Sequence, residues 1–489
     1  MHQNISIFDP KDLQLTAEAI ATLQACTTRD KKSLVSRIND IDKEDIERVI
    51  GTYFIGYGHD SIGQLGSILI YFENLSMIAT KAIQNNPLYN GQENSTRYPD
   101  VKQTMEEYLN NLSVFDPIDN DISRELIEEW LDFYKDLFIT IKETLLEKYK
   151  VKYGILELTK SEIRAIECKV CDITRGYLLS GTNTVCTWYG TIHQIKQHCE
   201  RLLTHESVEV RNLISTLLCQ LEFKYPNSFT FDNTEKHSDT SFDEAKYWQY
   251  VNQYSDFSIG EIVDTKDDIY KDIKTNWLNG YNLKLLDIKK LKEYSQIYNL
   301  RPKKTMLPRE LAKFGNISLN CTLDFGSYRD IQRHRSLIVD VPKLTKFNLH
   351  PFYFQTVNYC LKSDIVIEER ILNKLINLQS KTITFINNIP NSYKQYYIPM
   401  GCLVDFDIVG QLPYLVYLLE LRSGKTVHPT CRWLIAEIYN HLFTNNKPLE
   451  FVDNYIMGNL KDGNYTIDNY IDNILDLDFK RSSQTIEKI

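Results

Sequence analysis

The chain has 489 residues, a formal net charge of −9 and a pI near 5.7, with 43% hydrophobic and 25% charged residues. That length exceeds one ordinary core, and the composition is that of a globular protein. An acidic balance argues against a nucleic-acid polymer as main partner, because such binders carry a basic excess, but it leaves room for a local basic pocket.

The opening stretch, MHQNISIFDPKDLQLT, has neither a positive segment nor an apolar core, so no secretory signal is read there. No apolar run reaches the roughly 20 residues that a membrane helix needs. The expected location is cytoplasmic and no membrane is expected as partner. Ten cysteines in a chain this long make no disulfide scaffold, and reduced thiols are expected.

In chain order, the first informative segment is GYGHDSIGQLGSILIYFEN. His59, Ser61 and Gln64 follow Gly56 and Gly58, and an alternating apolar strand follows them. Glycines there would let the backbone approach a ligand, although a plain turn before a core strand has the same signature. NGQENSTRYPD comes next, with six hydrogen-bonding residues from Gln92 to Arg97. The Arg97 fork suits a phosphate, and Glu93 would suit a donor on a base or sugar. A solvated loop is the competing reading.

Residues 123–149 form the clearest amphipathic helix, with Ser123 as the expected N-cap and Leu126 at N3, so without a full capping box. SEIRAIECKVCDITRGYLL also reads as a helix, on which Cys168 and Cys171 are two small residues of one face. His193 and His198 follow at a spacing longer than a zinc finger uses, so no metal is expected. Arg175 precedes a loop with Gly181. The stretch 231–248 is polar and lacks apolar periodicity, and 231–255 is expected to link two halves.

The second half repeats the order of the first. NISLNCTLDFG reads as a strand and RDIQRHRSLIVD as a cluster after it. If that cluster is helical, Arg329 and Arg333 share a face and repel, which an anion would offset. LLELRSGKTVHPTCRWLIAEI supplies Glu420, Arg422, Lys425, His428 and Arg432, each of which a surface salt bridge would also explain. The last residues are expected to fray. The resulting division is 1–230, a linker at 231–255, 256–476, and a tail at 477–489, the two large parts being a tandem duplication.

GHDSI, FEN, GQENSTRY and QRHRS together resemble the flavin-dependent thymidylate synthase family, with its GHxS element and its RHR…SxRY signature. The resemblance runs over both halves. The first half keeps Ser95, Arg97 and Tyr98 but has Asn85, Asn86 and Pro87 where RHR would stand. The second keeps Arg333, His334 and Arg335, with Lys343 near the serine's place. The family's NxR element reads TIH at Thr191 to His193 and QLP at Gln411 to Pro413, without its arginine in either half.

What the resemblance implies is an α+β fold of two tandem thymidylate-synthase-complementing-like domains, each a mainly antiparallel sheet with helices, joined as a pseudo-dimer with one composite site between them. Glu93, Ser95, Arg97 and Arg175 would hold dUMP. His59, Ser61, Arg333, His334 and Arg335 would hold FAD, with Arg333 also near the nucleotide. Arg422 would polarise the uracil ring. The reaction would convert dUMP to dTMP with methylenetetrahydrofolate and NADPH. The rivals are a flavoenzyme acting on another pyrimidine nucleotide and a non-catalytic nucleotide-binding pseudoenzyme. The fused chain could itself pair into a homodimer.

Overall fold

The computed structural model describes residues 15–26, 43–56, 60–97, 104–229, 276–452, 455–461 and 466–477. It is a mixed helical and sheet protein, as the α+β expectation has it. The chain forms two compact units. One comprises Met1–Glu73, Ala82–Glu93 and Val185–Asp256, the other Asn74–Lys81, Asn94–Thr184 and Phe257–Ile489. The units interleave along the chain, whereas the expected division falls once, at 231–255, which lies outside the described residues.

In the first unit, most of β1 (Ser67–Ser76) pairs with β2 (Asn183–Thr191) in a two-stranded sheet. Ile68, Ile70 and Phe72 point inward at alternate positions, as the period of two requires. Trp188, Ile195, Val210 and Ile214 complete that core.

The second unit is built on a four-stranded antiparallel sheet in the order β3 (Leu278–Asn282), β4 (Asn316–Asp324), β6 (Leu403–Gln411), β5 (Ile338–Val339). The central pairing runs from Asn316 opposite Gln411 to Asp324 opposite Leu403. Two long helices, α1 (Asp121–Tyr153) and α2 (Ile365–Asn387), pack together, and Trp130 Nε1 on the first donates to Thr382 Oγ1 on the second at 2.9 Å. Trp130, Phe133, Leu137, Tyr177, Leu323, Tyr353 and Leu434 belong to one core.

The expected helix at 123–149 extends further in both directions. Its N-cap is Asn120, not Ser123: Asn120 Oδ1 accepts from the Ser123 amide at 2.9 Å and Ser123 Oγ accepts from the Asn120 amide at 3.0 Å. Ser123 Oγ also donates to Asp116 Oδ2 at 2.6 Å, which fixes it at N3 of a full capping box. Gly154 closes the helix with φ 64°, a conformation that glycine adopts without strain. The helix expected around the two cysteines is α3 (Lys160–Thr174), and both thiols are buried on it. Among the described residues no group of side chains could hold a metal ion.

The internal repeat is visible in detail. Residues 171–202 and 391–422 carry the same secondary structure at every position. Each runs from helix through a one-turn 3₁₀ segment and a tight turn into a strand and a further helix. The isolated bridge Asn90–Tyr189 has its counterpart in the pairing of Ile338 with Val409. Within the second unit the two copies of the turn bond to each other reciprocally. Gly181 N donates to Tyr396 O at 3.0 Å and Gly401 N to Gly176 O at 2.8 Å, while Ser180 N donates to Ile398 O at 2.9 Å and Met400 N to Leu178 O at 2.8 Å. Equivalent residues contacting each other is the signature of a two-fold relation. A Cβ on Gly401 would lie 2.7 Å from Gly176 O, so the close approach of the two turns requires glycine there.

Candidate functional site: an arginine cluster in the second unit

Arg97 leaves a tight polar turn. Asn94 Oδ1 accepts from the Ser95 amide at 2.9 Å and Ser95 Oγ accepts from the Arg97 amide at 3.1 Å. Ser95 therefore shapes the turn that presents Arg97. The Arg97 guanidinium is buried and grips Asp172 on α3 with two bonds, Nε to Oδ1 at 2.7 Å and Nη2 to Oδ2 at 3.2 Å. Such planar forks are stiff and hold the cation at one angle.

Arg175 follows α3 at the turn of the repeat and is 2% exposed. Its Nη2 donates to Ser327 Oγ at 2.5 Å and lies 3.7 Å from Asp324 Oδ2. No described residue accepts from its Nε. Asp324, wholly buried, caps helix α4 (Phe325–Gln332) by accepting from Ser327 N at 3.0 Å. It also accepts from Tyr353 OH at 2.8 Å and Thr430 Oγ1 at 2.6 Å. Burial pushes the Asp324 carboxyl above its usual range, and Arg175 with the three donors only partly offsets that.

RHR stands at the C-terminal end of α4. Arg333 is the C-cap and exposed; His334 and Arg335 are half-buried. Cations there suit the negative end of the helix dipole, a structural reason for two of the three. Arg422 ends helix α5 (Leu412–Arg422) and donates from Nε to His334 Nε2 at 3.0 Å. His334 is therefore neutral with its proton on Nδ1, and burial and Arg422 together push it down to about 3.

These groups converge on Asp330. Its side chain is 15% exposed and its carboxylate lies 3.7 Å from Arg333. Burial opposes its charge, but Arg333, Arg422, Arg175 and Arg97 outweigh that and hold its carboxyl below the usual range. Two of the four arginines come from the first half of the sequence and two from the second, and all belong to one compact unit. Four guanidinium groups against Asp172, Asp324 and Asp330 leave the cluster cationic, and a cationic, mostly buried cluster is chemistry for an anion.

The remaining expected site residues fall elsewhere. Glu93 bridges to Cys186 in the first unit. Ser61 lies in the short helix Asp60–Gly63, ahead of the strand, and His59 and Tyr98 lie outside the described residues. Glu420 holds Arg301 at 2.5 Å and the Lys304 amide at 2.8 Å, both structural contacts. Asp172, Asp324, Ser327, Thr430 and Tyr353 were not singled out from sequence. Asp172, in the last turn of α3, precedes Arg175 by three residues, a signal that could have been read.

No family model matches the chain. It is similar to a UPF0159 protein of Chlamydia pneumoniae, 23% identical over 438 residues, covering 82% of this chain and 79% of that protein. It is also similar to a UPF0159 protein of Chlamydia muridarum, 25% identical over 328 residues, which is 59% of each. Neither designation names an activity. No helix among the described residues is long and apolar enough to cross a membrane.

Proposed function

We propose that the protein is a flavin-dependent thymidylate synthase-like enzyme, methylating dUMP to dTMP with methylenetetrahydrofolate and NADPH at one composite site. The observation that supports this most is the convergence of Arg97, Arg175, Arg333 and Arg422, drawn from both sequence halves, about Asp330. Among the described residues the repeat offers no second such cluster. The positions equivalent to Arg175 and Arg422 hold Gln395 and Leu202, and Asn85 stands in for Arg333.

The donor set fits a nucleotide phosphate: surplus guanidinium charge, and a buried Arg175 Nε whose acceptor is not among the described residues. Arg97, on its stiff two-bond fork, and Arg175, held through Ser327, would bind and orient dUMP. Arg422 keeps Nη1 and Nη2 for the pyrimidine, because Nε is spent on His334. Its cation would favour the negative charge that the ring must carry when C5 becomes nucleophilic, without a protein nucleophile. Arg333, Arg335 and the Nδ1–H of His334 would hold FAD, which supplies the electrons that reduce the transferred carbon to methyl.

One observation favours a second reading. Thr191 and Pro413, in the segments where the family has NxR, begin helices: Thr191 closes a capping box with Gln194, and Pro413 sits in the first turn of α5. Those positions serve structure, which suits a nucleotide-binding pseudoenzyme. The visible spectrum of the purified protein, before and after FAD and then dUMP, decides. Bound flavin with a shift on dUMP, followed by dTMP formation, is the expected result. Bound flavin without dTMP formation points to another pyrimidine nucleotide. A protein that never takes up FAD is the pseudoenzyme.

A further inference from the structure

The pairs that hold Arg97 and Arg175 are joined by a residue to which the proposed reaction gives no role. His428 is wholly buried at the start of helix α6 (Pro429–Leu442). Its Nε2 lies 3.1 Å from the carbonyl oxygen of Asp172, the residue that grips Arg97. Its Nδ1 lies 2.8 Å from Thr430 Oγ1 and 3.2 Å from Ser327 Oγ. A carbonyl only accepts, so Nε2 carries the proton; Thr430 spends its one proton on Asp324, so Nδ1 accepts from the Ser327 hydroxyl. Thr430 in turn reaches Asp324, and Ser327 receives the Arg175 guanidinium. The two ring nitrogens therefore span the gap between the holder of one buried arginine and the holders of the other.

We infer that His428 is a positioning residue that locks Arg97 and Arg175 into one fixed arrangement for the anionic ligand. The inference rests on the reading of the arginine cluster as a nucleotide site. The ring acts as a neutral connector. Burial, with Arg175 and Arg97 nearby, holds it well below the usual histidine range, so it does not gain a proton near neutral pH. A small rotation of either arginine would move its donors off the ligand, which is how a residue remote from the ligand governs affinity.

The test titrates dUMP and inorganic pyrophosphate calorimetrically into the full chain as purified. Wild type, His428→Ala, His428→Gln, Thr430→Val, Arg97→Ala and His428→Ala/Arg97→Ala are compared below their melting temperatures. His428→Ala is expected to weaken dUMP by about tenfold or more, as misplaced positioning groups do. His428→Gln, with an NH2 donor and a carbonyl acceptor at its tip, recovers most of the affinity. The double variant is no weaker than Arg97→Ala, because the two residues act as one unit. A lowered melting temperature with unchanged affinity would mean a structural role only and overturn the inference, as would full additivity. Where His428→Ala does not fold, Thr430→Val keeps the shape, removes one hydroxyl and is expected to lose affinity likewise; unchanged affinity there overturns the inference. Pyrophosphate binding with this pattern, and no dUMP binding, removes the pyrimidine reading and keeps the inference. Binding of neither removes both.

Discussion

Arg97 and Arg333 separate structure from function at the scale of single residues. Arg97→Ala removes the two bonds that the buried Asp172 carboxylate accepts from Arg97, so a loss of about 3–5 kcal/mol in chemical denaturation is expected, with most of it restored by adding Asp172→Asn. Arg333 is exposed and lies 3.7 Å from Asp330, so Arg333→Ala should move stability by no more than about 0.5 kcal/mol while abolishing dUMP-dependent turnover. For turnover, the double variant should be no worse than either single one. The buried histidines set the acid limit. Burial pushes His198 and His350 down to about 3, so each stays neutral in the fold while the unfolded chain takes up a proton below about 6.5. The unfolded state binds more protons in that window, so stability is level above it and falls as pH drops from 6.5 toward 3. Asp324, raised above its usual value, acts in the opposite sense from the acid end of that window upward. Melting temperatures between pH 4 and 8 check the sign.

Elements with a strong local signal were legible in the sequence. The alternation in SILIYF and NISLNC and the apolar spacing of SEIRAIECKVCDI placed β1, β4 and α3 where they occur. The start of α1 was misplaced by three residues, because Asn120 and Ser123 are both good caps and only Asp116, which engages the Ser123 hydroxyl, decides between them. Asn120→Ala is expected to cost about 1 kcal/mol, measurable by denaturation. Arg97 and Arg333 of the candidate site were legible because each sits in a dense polar string, Arg175 and Arg422 through the family resemblance. Their holders were not. Asp324 and Ser327 reach Thr430, and Asp172 reaches His428, through contacts spanning more than a hundred residues, and no local pattern encodes such a meeting. At the turns of the repeat, Gly401→Ala is expected to destabilise by about 1–3 kcal/mol, since its methyl would collide with the Gly176 carbonyl.

At the scale of the whole molecule the two-fold relation between the turns is asymmetric in content. Equivalent positions carry arginine on one side and Gln395, Leu202 and Asn85 on the other, so calorimetry should find a single dUMP per chain rather than two. The reciprocal bonds between 176–181 and 396–401 have a further consequence. In an assembly of separate subunits, a site that draws on two chains empties as the protein is diluted. Here both contributors share one covalent chain, and the partner is present at the high effective concentration that tethering imposes, on the order of millimolar for short connections. Turnover per chain should therefore hold constant under serial dilution, and a mutation lost from one copy cannot be rescued by mixing in a second protein.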